Sequence, residues 1–306
     1  MILSASRRTD LPNFYSEWLF RRIREGYLYV RNPMNAHQIS ELDLSPDVVD
    51  AIVFWTKNPE PMLARLDELK DYVYYFQFTL TGYGTDIEPG IPHKKEQMIP
   101  IFQKLAGKIG PERVVWRYDP ILFTRRYTPE YHEKAFQQIA RLLNGCTKEC
   151  VISFVDSYAK NRKNLAALRA YSLEEQHLIR FAGTLSQIAA KNGMTISSCA
   201  EKTDLSAQGI CHSSCIDKNK IELLSGVPIA AGRDKNQREA CGCAASVGIG
   251  TYDTCANGCV YCYANASRSR VESNRANFDP DSPLLCGQVR DGDSVTKRNV
   301  NEKKGN

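Results

Sequence analysis

Six short apolar runs restrict the fold more than any other feature of this chain. They are ILSAS (2–6), AIVFW (51–55), YYFQFTL (74–80), RVVWRY (113–118), CVISFV (150–155) and MTISS (194–198). Each is β-branched or aromatic and almost uninterrupted, which is how a strand buried on both faces reads. Helical stretches with start signals lie between them. Asn58-Pro59 opens PEPMLARLDELK, and Thr128-Pro129 opens PEYHEKAFQQIARLL, which stops at Asn144-Gly145. Ser172-Leu-Glu-Glu reads as a capping box for a helix that runs to Lys191, with Asn192-Gly193 as its stop. Strand and helix in alternation imply parallel βαβ units. The expected fold is α/β, a full or partial (β/α) barrel over residues 1–200, with YLYV (27–30) as a candidate seventh strand.

After residue 200 the periodicity fades, and cysteine, glycine and polar residues take over. Residues 201–270 form a Cys-rich segment and 271–306 a polar tail, whose last dozen residues read as disordered. Apolar residues are 42% and charged residues 25% of 306, so a sizeable core is available. The net charge of +5 is too mild to demand nucleic acid as a partner. No run of 18 apolar residues appears, so no membrane span is expected. MILSASRRTD lacks the apolar region of a signal peptide, and a cytoplasmic location follows as the expectation.

The polar residues that close the runs are informative. Arg7, Arg8 and Asp10 follow the first, and Lys57 and Asn58 the second. Gln77 lies within the third, and Arg117 and Asp119 close the fourth. Asp156 closes the fifth, and Cys199 and Glu201 the sixth. In a parallel barrel all C-terminal strand ends share one mouth, where active sites lie. Any single such residue is more often a cap or a solvated loop residue. Asn58 in particular reads as a cap, so the set carries more weight than its members.

Of 11 cysteines, nine fall between 199 and 286. In a reducing compartment that density points to ligands rather than disulfides. CANGCVYCYAN (255–265) holds Cys255, Cys259 and Cys262 in the pattern C-x-x-x-C-x-x-C, which chance supplies in only roughly one chain in a hundred. Three thiolates from one loop suit an iron–sulfur cluster better than zinc, which prefers separated pairs. Cys199, Cys215, Cys241 and Cys243 form a second candidate set. It would hold a second cluster, a zinc ion, or nothing beyond packed thiols. Cys211 is an alternative to Cys215 in that set.

The pattern of Cys255, Cys259, Tyr261 and Cys262 resembles the signature of radical S-adenosylmethionine (radical SAM) enzymes. SASRRTD, VRNP, FWTKNP, YYFQFTLTGYG, WRYDPI, SFVD, CGCAASVGIGTYDTC and CVYCYAN together resemble a family catalogued as a domain of unknown function, number 1848. That family is similar to radical SAM enzymes and, more distantly, to the spore photoproduct lyase group. The resemblance implies a (β/α) barrel in which the three cysteines hold a 4Fe-4S cluster with one open iron. S-adenosylmethionine would bind that iron and be cleaved reductively to start radical chemistry. It also makes an auxiliary cluster in the second set an expectation. In the superfamily the cysteine loop follows the first strand. Here it comes last, so the C-terminal segment must return to the barrel mouth.

The assignments follow from strand-end position. Arg117, Asp119, Lys57 and Asp156 are the catalytic candidates. Tyr261, Glu201 and Gln77 are the cofactor-binding candidates, and Arg7, Arg8 and Asp10 the substrate-binding ones. The expected substrate is a polar or anionic small molecule or peptide, and the electron donor a flavodoxin or ferredoxin. Nucleic acid stays open as a partner. The competing reading is a zinc- or cluster-stabilised binding module without SAM chemistry. Against a nucleic-acid module, no one segment interleaves basic and aromatic residues.

Overall fold

The computed structural model describes residues 1–91, 93–238 and 241–298. Eleven strands occur among them. They are β1 (Ile2–Ala5), β2 (Tyr27–Arg31), β3 (Gln38–Asp43), β4 (Ala51–Thr56), β5 (Tyr74–Thr79), β6 (Val114–Ile121), β7 (Glu149–Phe154), β8 (Thr195–Ser198), β9 (Cys211–His212), β10 (Val247–Gly248) and β11 (Ser294–Lys297).

Eight of them form one parallel sheet in the order β10-β1-β4-β5-β6-β7-β8-β9. Each of the six apolar runs is a strand of this sheet. The sheet is open, because β9 and β10 each pair on one side only. Its two edges are short strands that the apolar runs did not announce.

Both faces are covered, and strand alternation decides what each face carries. Leu3, Ile52, Phe54, Phe76, Trp116, Ile152 and Ile196 pack with the helices over 99–109, 129–142 and 175–191 through Phe102, Leu105, Phe136, Phe181 and Leu185. Val53, Tyr75, Val115 and Val151 point the other way. They meet Cys215, Ile216, Ile221, Cys243 and Ala244 from the late segment. Residues 215–229 and 241–244 thus pack on the face that no crossover helix covers.

YLYV does not join the main sheet. It is β2, antiparallel to β3 in a separate three-stranded sheet in the order β11-β3-β2. Only Leu28 of β2 is buried, as suits a surface strand rather than a central parallel one. β11 pairs in parallel with β3, so the dozen residues expected to be disordered begin inside a strand. The remainder, 299–306, lies outside the described residues.

Thr128 caps its helix, accepting from Tyr131 N at 3.3 Å. Asn58 Oδ1 accepts from Glu60 N at 3.1 Å, where a 3-10 helix over 60–69 begins. Ser172 is not a cap. The third helix starts at Glu175, because Tyr171 N donates to Phe123 O and holds the chain extended through its approach.

Candidate active site

The loop from Cys255 to Cys262 lies against the segments that follow β1, β5 and β7. Gly258 turns it with φ +66°, a conformation glycine adopts without strain. Gly90 N donates to Asn257 O at 2.9 Å, and Val260 N donates to Ile87 O at 3.0 Å. A Cβ on Gly90 would fall 2.7 Å from the Asn257 backbone, so this approach requires glycine. On the β7 side, Asn161 and Asn164 donate to the carbonyls of Tyr261 and Val260 at 3.0 and 2.9 Å.

Two buried carboxylates stand beneath the loop. Asp10 accepts from Thr56 Oγ1 at 2.7 Å, Lys57 N at 2.9 Å, Asn257 Nδ2 at 3.0 Å and Asn13 N at 3.2 Å. Burial raises its pKa against these bonds. Its oxygens are occupied by protein donors, so Asp10 positions the loop rather than facing a substrate. Glu88 accepts from Lys57 Nζ at 2.7 Å, Thr81 Oγ1 at 2.9 Å, Lys94 Nζ and the Tyr261 hydroxyl. Burial opposes its charge, but Lys57 and Lys94 outweigh burial and hold the carboxyl down to about 2.

Two of the loop thiols are shifted by this cage. Burial pushes Cys259 up to about 12, against the pull of Lys57. Burial, and then the Asp10 charge, raise Cys255 as well. Cys255, Cys259 and Cys262 act on one another electrostatically. Among the described residues, no three His, Cys, Asp or Glu side chains converge as the ligands of a single metal ion do.

The second thiol set gathers on the inner face of the sheet. Cys199 and Cys215 sulfurs are 3.1 Å apart. Cys215 also bonds Cys243, and Cys243 bonds Cys241, so four thiols from three segments form a series. The bond from Cys243 outweighs burial at Cys241 and lowers its pKa to about 6. Arg117 Nη1 donates to Cys215 Sγ at 2.9 Å and to Gln77 Oε1 at 3.2 Å, while Gln77 Nε2 donates to Cys215 O at 2.9 Å. Gln77, expected at the cofactor, therefore belongs to this second group.

Asp119 stands between the two groups. It pairs with the Arg117 guanidinium, and its charge acts on both Lys57 and Cys199. Glu201 accepts from Phe154 N at 2.8 Å, and burial, reinforced by Asp156, raises its pKa to about 7. Asp156 is half-exposed and pairs with Arg238. Arg7 and Arg8 lie on the rim. Arg7 is 3.9 Å from Asp234, and Arg8 stands over the Tyr252 ring.

Thr81 lies at the end of the third run, but Glu88, Lys94, Asn257 and Asn161 fall outside strand-end reasoning. Glu88 lies nine residues past the end of β5, beyond the reach of that rule. The sequence signal for it is a carboxylate set between Ile87 and Pro89, two residues after Asp86.

No curated protein matches the sequence. Residues 2–264 match the model of a family described as a domain of unknown function (DUF1848), a span that takes in both thiol groups and all eight strands of the main sheet, and the chain belongs to that family.

Proposed function

We propose that the protein is a radical SAM enzyme with a partial (β/α) barrel, acting on a polar or anionic substrate. One observation carries the reading: the late cysteine loop docks at the C-terminal ends of the parallel strands, with Cys259 within electrostatic reach of Lys57. The donor set fits a 4Fe-4S cluster. Three partly buried cysteines lie within electrostatic reach of one another without converging on one point, and a cubane spreads its thiolates over separate irons rather than gathering them on one ion. Bound there, the cluster would supply one electron to cleave S-adenosylmethionine and start radical chemistry.

The chain's own residues have definable roles. Cys255 and Cys259 are partly buried, and their protons must leave when a cluster binds. Glu88 fixes the Lys57 and Lys94 ammoniums under the loop and accepts the Tyr261 hydroxyl, so the lysines remain available as counter-charge to the thiolates. Arg117 and Asp119 present a fixed donor and acceptor to the mouth. Glu201, near the middle of its titration at neutral pH, is the group best suited to move a proton.

The Cys199 set has a second reading. A zinc ion with Zn–S bonds of about 2.3 Å holds its sulfurs about 3.8 Å apart. The 3.1 Å contact of Cys199 and Cys215 lies closer to that spacing than to a cubane's. A structural zinc tie there is the alternative to an auxiliary cluster, and it requires the four sulfurs, which do not converge on one point in this structure, to close in on binding.

Anaerobic purification, iron and sulfide reconstitution and EPR test both parts. A reduced 4Fe-4S signal that shifts on adding S-adenosylmethionine, with release of 5′-deoxyadenosine, is the expected result. A colourless protein with zinc alone defeats the proposal. Iron at about four per chain with one zinc assigns zinc to the second set, and about eight assigns a second cluster.

A further inference from the structure

Three half-exposed tyrosines stand on the rim: Tyr158, Tyr252 and Tyr263. Among the described residues only Tyr171 matches their exposure, so the chain concentrates its open tyrosine surface here. The Tyr158 and Tyr263 rings are 5.6 Å apart, and the Tyr263 hydroxyl donates to Arg7 O at 2.9 Å. Lys160 Nζ and the Arg8 guanidinium lie 4.8 and 5.3 Å from the Tyr252 ring centre. The Arg7 guanidinium lies 5.7 Å from the Trp55 ring. Arg238 completes the cations, paired with Asp156, which also accepts from the Tyr158 hydroxyl at 3.1 Å. Asp156 and Asp234 offset Arg238 and Arg7. Among the described residues, no carboxylate lies within ion-pair distance of Arg8 or Lys160.

We propose that this rim binds a nucleobase carrying a phosphate, its ring stacked on the tyrosines and its phosphate held by Arg8 and Lys160. Half-exposed rings beside cations that reach backbone carbonyls but no carboxylate match a ligand that is flat at one end and anionic at the other. A simple carboxylate would leave the rings unused, and an apolar ligand would desolvate both cations without a partner. The guanidinium fork suits phosphate oxygens. The inference names a ligand class for the proposed mouth, but it stands on the rim alone. Nucleotide binding and cofactor chemistry therefore fail separately.

The test titrates the full chain with a fluorescein-labelled single-stranded oligonucleotide and, separately, with AMP. Trp55 emission reports the rim directly, because Trp18 and Trp116 are fully buried. Saturable binding that weakens as salt rises is expected. Tyr252→Ala and Lys160→Ala should each weaken it about tenfold, with unchanged thermal melting, while Tyr171→Ala leaves it intact. Displacement of the oligonucleotide by AMP identifies a free nucleotide as the ligand. Strand binding that AMP does not disturb identifies nucleic acid. Should Tyr252→Ala lose its fold, Tyr252→Leu keeps the bulk and decides. The proposal is overturned if neither probe binds, if both rim variants bind like the parent, or if Tyr171→Ala is equally impaired.

Discussion

The two thiol groups are built in opposite ways. Cys255, Cys259 and Cys262 come from eight consecutive residues and share a buried polar cage without touching. Cys199, Cys215, Cys241 and Cys243 come from three separate segments, and their sulfurs meet in series against Arg117. The first group is a loop that the fold receives. The second exists only once the segments that carry Cys215, Cys241 and Cys243 have packed on the inner face of the sheet. A local motif is therefore placed by docking, and a dispersed one is made by packing.

This contrast has consequences of graded size. The largest belongs to the thiols themselves. Replacing Cys255, Cys259 and Cys262 together by Ala should abolish the SAM-responsive EPR signal, yet leave the sheet intact by circular dichroism. Replacing Cys199, Cys215, Cys241 and Cys243 should keep that signal and lower the melting temperature. If both variants lose the signal equally, the groups are not independent.

Next comes Glu88→Gln. It leaves Lys57 and Lys94 facing each other in a buried site without their carboxylate, which costs about 3–5 kcal/mol and should appear in denaturant unfolding. Mass-mapped alkylation should show Cys259 opening while Cys243 stays protected. Equal exposure of both would erase the distinction between docking and packing.

A smaller effect follows from His132, which lies on the first group's side, its ring 5.5 Å from Tyr83. Nδ1 meets the Tyr118 hydroxyl at 2.9 Å and Nε2 meets Leu122 O at 3.2 Å. Burial lowers its pKa to about 4, against the Leu122 carbonyl. The unfolded chain, with an ordinary imidazole near 6.5, takes up the proton first as pH falls. Stability from this group is therefore full above about pH 6.5 and is lost between there and about pH 4, by roughly 3 kcal/mol. Urea unfolding across that range, with His132→Gln as reference, measures it. Identical profiles for the two proteins would show that His132 contributes nothing.

Gly90→Ala should cost least, about 1–3 kcal/mol. Its methyl must push the Asn257 backbone aside. The loss should be confined to the loop, read as faster hydrogen exchange at Val260 than at Ile216.

Much of the scaffold was legible because its signals are local. A strand buried on both faces has to be continuously apolar, so all six runs were found. Thr128 caps by a contact within three residues, while the cap of the 60–69 helix falls on Pro59 and Asn58 only turns the chain into it. Ser172 fails because a long-range pairing at Tyr171 overrides the capping pattern. YLYV shows the limit of runs: its composition is that of a strand, but it belongs to a separate sheet completed by β11, far along the chain.

By itself the sequence determined the parallel strands, the helices between them and the three-cysteine loop, since each is written in spacing along the chain. The tertiary structure decided where the loop docks and which face the cysteines of the second set share. It also joined Glu88 to two lysines and a tyrosine, and brought Arg8, Lys160 and three tyrosines to one rim. No single segment holds those basic and aromatic residues, which is why the sequence argued against such a surface. The physical reason is the same throughout. Alternation along a strand assigns side chains to faces, but only the closing of distant segments over those faces determines what they meet.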